Sequence, residues 1–152
     1  MRVILQRSKN SKVTINGKVN GSIDKGYVCL VGFTNGDTKE IVDKMVKKII
    51  NLRIFEDENE KMNLSIIDIN GSILSISQFT LYADTTRGNR PSFINALNPI
   101  NASELYDYFN KKLSEFLHVE TGIFGEDMKV EIYNDGPVTI MLDSTDICKN
   151  IK

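Results

Sequence analysis

A single α+β domain, with an antiparallel, barrel-like β-sheet core and two main helices packed on it, is the fold class predicted for this chain of 152 residues. Three observations predict it. Strand-length apolar runs fill the first third and recur at about 72–82, 127–133 and 137–142. Two other stretches repeat apolar residues at helical spacing. Turn signals at Asn16-Gly17, Asn70-Gly71 and Asn134-Asp135-Gly136-Pro137 punctuate the chain, with no linker, repeat or low-complexity block between them. Strands come first and the helices pack on the sheet, which is the α+β arrangement. A domain of this length buries roughly 70% of the surface its unfolded chain exposes, enough to support a core.

Residues 2–8 alternate weakly and begin the sheet. Lys12–Ile15 and Lys18–Ile23 flank Asn16-Gly17, a strong hairpin signal. Tyr27–Phe33 is continuously apolar between Gly26 and Gly36, as expected of a central strand covered on both faces. Asp37 and Glu40 have the spacing of a capping box, which opens a helix over about 38–51 with Ile41, Met45, Val46 and Ile49 inward. Lys44, Lys47 and Lys48 share another face of that helix, either solvated or in contact with phosphate. A charged turn, 56–63, precedes a strand from Ser72 to Tyr82. In an extended chain Ser75, Ser77 and Phe79 share one face and Gln78, Thr80 and Tyr82 the other. Neither face is cleanly apolar, so the polar side chains there either face something enclosed as well as something wet or form an ordinary sheet face with exposed Ser and Thr.

A loop rich in Gly, Asn and Pro follows, from Asp84 to Pro99. Asn101 and Glu104 are placed to cap a second helix with Leu105, Tyr108, Phe109, Leu113, Phe116 and Leu117 on its apolar face. In the last turn signal, Pro137 starts a strand or sits in a turn, because proline is excluded from mid-sheet positions. The domain is expected to run over 1–142, with 143–152 a polar, frayed tail.

Lys plus Arg (19) nearly balance Asp plus Glu (20), giving a net charge of −1, so the chain has no global electrostatic hold on nucleic acid or an anionic membrane. Contact with RNA would be local and by shape. The two cysteines, Cys29 and Cys148, form neither a disulfide framework nor a metal clasp, which points to a reduced, cytoplasmic setting. The first residues lack the pattern of a signal peptide, and no apolar run approaches the ~20 residues of a spanning helix. His118 is the only histidine and sits where a cation suits a helix end. A zinc site or a Ser–His–Asp triad has no local support, and no Gly-rich nucleotide motif is present. No cofactor is expected. The carboxylate pairs Asp57/Glu58 and Glu126/Asp127 look like solvated turns.

Ser77-Gln78-Phe79-Thr80 with Leu81 and Asp84, then Arg90-Pro91-Ser92-Phe93, then Asn134-x-Gly136-Pro137-x-Thr139, closely resemble the D-aminoacyl-tRNA deacylases. Gln6-Arg7 and the stretches Leu52–Phe55 and Lys61–Leu64 match that family in place, so the resemblance spans residue 1 to about 142. It implies that family's fold and hydrolysis of the ester joining a D-amino acid, or glycine, to the 3′-terminal adenosine of tRNA. It also implies a homodimer with the site at the subunit interface. The lack of a ligand set predicts activity without a metal, and the balanced charge and short apolar runs predict no membrane partner. On this resemblance Ser77, Gln78, Phe79 and Thr80 form the catalytic wall. A cis Gly136–Pro137 peptide enters the partner's site and rejects L-amino acids, and Arg7 steadies that loop. The proton chemistry belongs either to Thr80 as nucleophile or to the terminal ribose hydroxyl. A threonine without a nearby base is a poor nucleophile, which favours the ribose. A non-catalytic RNA-end or amino-acid binding module, or a structural dimerisation protein, would be the competing classes, because a fold alone never fixes function.

Overall fold

Asn16 and Gly17 both take left-handed backbone angles, φ 49° and 75°, as a two-residue hairpin turn requires. They join β1 (Arg2–Ile15) to β2 (Lys18–Gly32), an antiparallel pair that absorbs all the short strands expected in this region. The structure, a computed structural model, describes residues 1–149. Six strands form the main sheet in the order β6 (Val119–Thr121), β5 (Ser72–Ser77), β2, β1 and β7 (Lys129–Glu131), with β8 (Asn134–Asp143) also beside β1. A small ribbon pairs β3 (Phe55–Glu56) with β4 (Met62–Leu64).

The α+β class stands, but the sheet is mixed rather than wholly antiparallel. β5 runs parallel to β2, and β6 runs parallel to β5. The reason is the connections: α1 (Lys39–Asn51) lies between β2 and β5, and α2 (Pro99–Ser114) between β5 and β6. Such crossovers return the chain to the same end of the sheet.

Both faces of β2 are covered, which explains its unbroken apolar run. Tyr27, Cys29 and Val31 join Val3, Leu5 and Ile73 in a core beneath the inward residues of α1 and α2. Val28 joins Leu74, Ile76, Val13 and Ile23 in a second cluster on the opposite side. The sheet curls over that second cluster. Asn20 Nδ2 donates to the Thr121 carbonyl at 2.7 Å, which brings the start of β2 onto β6 and makes the core barrel-like.

Both helix starts differ from the expected caps. Thr38, not Asp37, caps α1: its Oγ1 accepts from Ile41 N–H, while Asp37 accepts from Thr34 N–H at 2.8 Å. Asn98, not Asn101, caps α2, because Pro99 suits the first helical position and its missing N–H needs no partner there. This start turns Ala102, Leu105, Tyr106, Phe109 and Leu113 inward. Tyr106 is thus the buried tyrosine, donating to Ser75 O at 2.7 Å, whereas Phe116 is exposed. The tail is ordered as far as it is described. Asp143 caps a short α3 (Ser144–Ile147), and Ser144 N–H donates to Met1 O at 2.9 Å. The remainder, 150–152, lies outside the described residues.

Candidate active site

β5 ends at Ser77, five residues before the end expected from sequence. Gln78 N–H still donates to Val31 O at 2.7 Å, but its ψ of 78° takes the chain off the strand. Phe79–Tyr82 then form a 3₁₀ turn, so the alternating faces assigned to residues 78–82 do not exist. Gly32 permits this turn. A Cβ there would stand 2.8 Å from Gln78 O and 3.1 Å from Leu81 Cβ, so any larger residue would push the turn off the end of β2. Within the described residues neither the Phe79 nor the Thr80 amide donates a hydrogen bond, as befits the first residues of a helical turn.

Ser77, Gln78 and Phe79 line a cavity of about 390 Å³, a size suited to a small organic ligand. Val31 and Gly32 supply its floor from the end of β2, with Phe33 just beyond it. Asn98, Pro99 and Ala102 supply a wall from the first turn of α2, and Phe124 and Gly125 close another side. Phe79 is exposed and meets Phe93 edge to face, with centroids 5.1 Å apart. The two rings form an aromatic platform at the cavity. Thr80 lies just outside the lining, exposed, with its Oγ1 accepting from Gln78 Nε2.

Gly136 and Pro137 lie elsewhere. From Ser8↔Asn134 to Gln6↔Thr139, β8 advances five residues while β1 advances two, so 135–138 bulge out of the ladder. Pro137 is therefore neither at a strand start nor in a turn; it sits in a bulge of a strand that pairs with β1 alone, where a sheet tolerates proline. The Gly136–Pro137 peptide is cis, and both residues are exposed. Asn134 closes the bulge, its Oδ1 accepting from Val138 N–H and its Nδ2 donating to Thr139 Oγ1, each at 2.9 Å. Arg7 sits opposite and is buried. Its Nε donates to Asp135 O and its Nη1 to Ile54 O, both at 2.9 Å.

The fold thus brings Ser77, Gln78 and Phe79 into one cavity and joins Arg7 to the Gly136 bulge. It does not bring the two groups together within one chain. Arg7 pairs with Tyr27 and Arg2 with Gly32, which puts roughly 17 Å of strand between the bulge and the cavity. Phe93 closes the Arg90–Phe93 motif, but Asn98, Phe124 and Gly125 come from loops without a chemical signature. His118 is exposed beyond the end of α2, with Nε2 3.7 Å from Glu120 Oε2. Burial pushes the Cys29 thiol well above its usual range, so it stays protonated and inert. Among the described residues no three His, Cys, Asp or Glu side chains cluster as a metal site, and no helix is long and apolar enough to cross a membrane.

The model of the D-Tyr-tRNA(Tyr) deacylase family matches residues 4–143. A solved structure described as c-Myc DNA Unwinding Element Binding Protein superposes with a TM-score of 0.89 at 38% identity, covering 94% of this chain and 98% of that one. Another, of a probable eukaryotic D-amino acid tRNA deacylase, has a TM-score of 0.80 at 18% identity, covering 93% and 97%. At that identity the second likeness speaks for the fold alone.

Proposed function

The chain belongs to the D-Tyr-tRNA(Tyr) deacylase family, whose members are ester hydrolases, and from that premise we propose that it proofreads D-aminoacyl-tRNA, and mischarged glycyl-tRNA, as a cytoplasmic homodimer. The observation that carries this reading is the turn at the end of β5, where Ser77–Phe79 wall a cavity and two amides have no acceptor among the described residues. The terminal adenosine stacks at the Phe79–Phe93 platform, held also by Gln78, and the ester carbonyl lies against Ser77–Thr80. As water adds to the carbonyl carbon, the Phe79 and Thr80 amides receive the developing oxyanion. Losing one such donor typically costs ~3–4 kcal/mol. The acyl carbon–ribose oxygen bond then breaks, the ribose oxygen takes a proton, and free amino acid leaves. The vicinal ribose hydroxyl moves the proton, since Thr80 Oγ1 has only the Gln78 amide as partner among the described residues, and an amide is no base.

Handedness comes from the partner subunit. The bulge is too far from its own cavity to serve it, and it is exposed, so the Gly136-Pro137 segment of one subunit enters the cavity of the other. The carbonyls of both residues accept the substrate's α-ammonium and leave no room for an L side chain; glycine, having none, passes. This is editing by exclusion, where a synthetase alone discriminates too weakly. The decisive experiment is release of free amino acid from D-tyrosyl-tRNA and L-tyrosyl-tRNA. Hydrolysis of the D ester alone supports the reading, and equal rates refute it. A second reading, nucleic-acid binding without hydrolysis, takes support from the name of the structure at 38% identity. Binding without release of amino acid from any ester would establish it instead.

A further inference from the structure

Residues 44–53, Lys-Met-Val-Lys-Lys-Ile-Ile-Asn-Leu-Arg, carry four cations and no carboxylate in a chain whose net charge is −1. The fold gathers them. Lys44, Lys47, Lys48 and Arg53 line one open concavity with Asn51 at the end of α1. The three lysines are exposed and make no ion pair among the described residues. Asp43, the nearest acid in sequence, accepts from Tyr108 OH at 2.8 Å. Arg53 is held in place: Nε and Nη2 donate to the main-chain and side-chain oxygens of Asn63, both at 2.9 Å, which leaves Nη1 without a partner among the described residues.

A helix C-terminus attracts cations, which accounts for Lys48 in the last turn. It does not account for Lys44, a turn earlier, nor for a guanidinium clamped beyond the helix end. Four cations around one hollow, one of them pre-oriented, are a binding surface for a polyanion with repeating phosphates. We propose that this surface docks the sugar-phosphate backbone of the acceptor helix of tRNA; the proposal rests on the tRNA reading above. Arg53 adjoins Ile54, whose carbonyl accepts from Nη1 of Arg7, the side chain that also holds Asp135 of the bulge. The patch therefore lies at the bulge end of the chain and, on the two-subunit reading above, flanks the partner's cavity into which that bulge reaches. Backbone contacts of this kind fix position and carry no sequence information. A membrane fits less well, because the hollow presents no exposed apolar anchor; its one apolar lining residue, Leu52, is half-buried.

The test is binding of deacylated tRNA between 50 and 200 mM salt, alongside hydrolysis of D-tyrosyl-tRNA and of the D-tyrosyl ester of adenosine. The variant is Lys44→Gln/Lys47→Gln/Lys48→Gln, and the control is Lys18→Gln/Lys61→Gln/Lys111→Gln, three exposed lysines outside the patch. Every phosphate that a lysine ceases to neutralise reduces the slope of log K against log salt by about 1, so the patch variant should show a slope shallower by about 3 and bind at least about tenfold more weakly. KM for the tRNA ester should rise in step while the adenosine ester is cleaved as before, and the control should stay within about twofold. An unchanged salt slope, an equal weakening in the control, or an equal drop on the adenosine ester would overturn the proposal. So would tRNA binding at wild-type strength with loss of binding to phosphatidylserine vesicles. If neither ester is cleaved by the wild-type protein, the hydrolase reading fails by itself, and the binding arm still decides this one.

Discussion

Arg7 Nε donates to the main-chain oxygen of Asp135 at 2.9 Å, tying the middle of β1 to the residue just before Gly136. Nη1 of the same side chain donates to Ile54 O, also at 2.9 Å. One planar group therefore fixes the bulge relative to the core. Lysine cannot span both acceptors with the same geometry. Arg7→Lys should leave the two carbonyls poorly paired, costing about 1–3 kcal/mol in urea unfolding. On the chirality reading it should also raise hydrolysis of L-tyrosyl-tRNA relative to the D ester. A variant with lowered stability but wild-type D/L selectivity would confine Arg7 to a structural role.

Gly136 has φ +140°, and a Cβ there would sit 2.7 Å from Val138 Cγ2 and 3.1 Å from Arg7 Nη2. Gly136→Ala should strain the bulge by about 1–3 kcal/mol and abolish selective hydrolysis. If the bulge serves the partner's cavity, mixing this variant with a cavity variant such as Ser77→Phe restores activity. Random two-fold pairing leaves about a quarter of all sites with both parts intact. No recovery after co-refolding would mean that the bulge does not work across subunits.

Much of this arrangement is legible in the sequence, and the exceptions have identifiable causes. Tyr27–Phe33 announces a doubly covered strand because both of its faces meet apolar layers. The hairpin is legible because Asn16-Gly17 accepts left-handed angles cheaply. The end of β5 is not. Residues 75–82 are compatible with an extended chain, and what bends them is Gly32, a residue distant in sequence whose missing side chain makes room. Asn98 and Asn101 are equally good caps by type, and Pro99 decides between them. Two motifs mark Ser77–Thr80 and Gly136-Pro137 through resemblance alone, while the roughly 17 Å of strand between them emerges only from the β1–β2 register.

Asp143 links the end of the sheet to α3. Its carboxylate accepts from Thr145 N–H at 2.9 Å, from Thr145 Oγ1 at 2.8 Å and from Arg2 Nε at 3.0 Å. Partial burial opposes ionisation, but these hydrogen bonds and the Arg2 charge outweigh it and hold the carboxyl below the usual aspartate range. A depressed folded value contributes stability above the unfolded value of about 3.9, and that contribution is lost as pH falls through the folded one. Asp143→Asn should therefore be less stable than wild type at pH 6, and the gap should close towards pH 2. Urea midpoints at several pH values check it; a gap independent of pH would assign the loss to packing.

Thr80 separates the two proton-transfer schemes. It is exposed, stands just outside the cavity lining, and its hydroxyl oxygen accepts from the Gln78 side chain, so its lone pairs are engaged by a donor rather than its proton by a base. His118, the only imidazole, is exposed and lies beside Glu120 on the far side of α2 in sequence. A nucleophilic role for Thr80 would need a base to take its proton, as hydroxyl nucleophiles do elsewhere. Thr80→Ala keeps the main-chain amide that the oxyanion uses and removes only the hydroxyl. It should retain activity on D-tyrosyl-tRNA within about tenfold, less than the roughly 10²–10³-fold loss that follows removal of an oxyanion donor. A tRNA ending in 2′-deoxyadenosine, charged on its remaining hydroxyl, should lose most of its reactivity with the wild-type protein. Single-turnover rates on the two substrates decide the matter: loss of activity in Thr80→Ala with an unimpaired deoxy substrate would make Thr80 the nucleophile and the ribose a bystander.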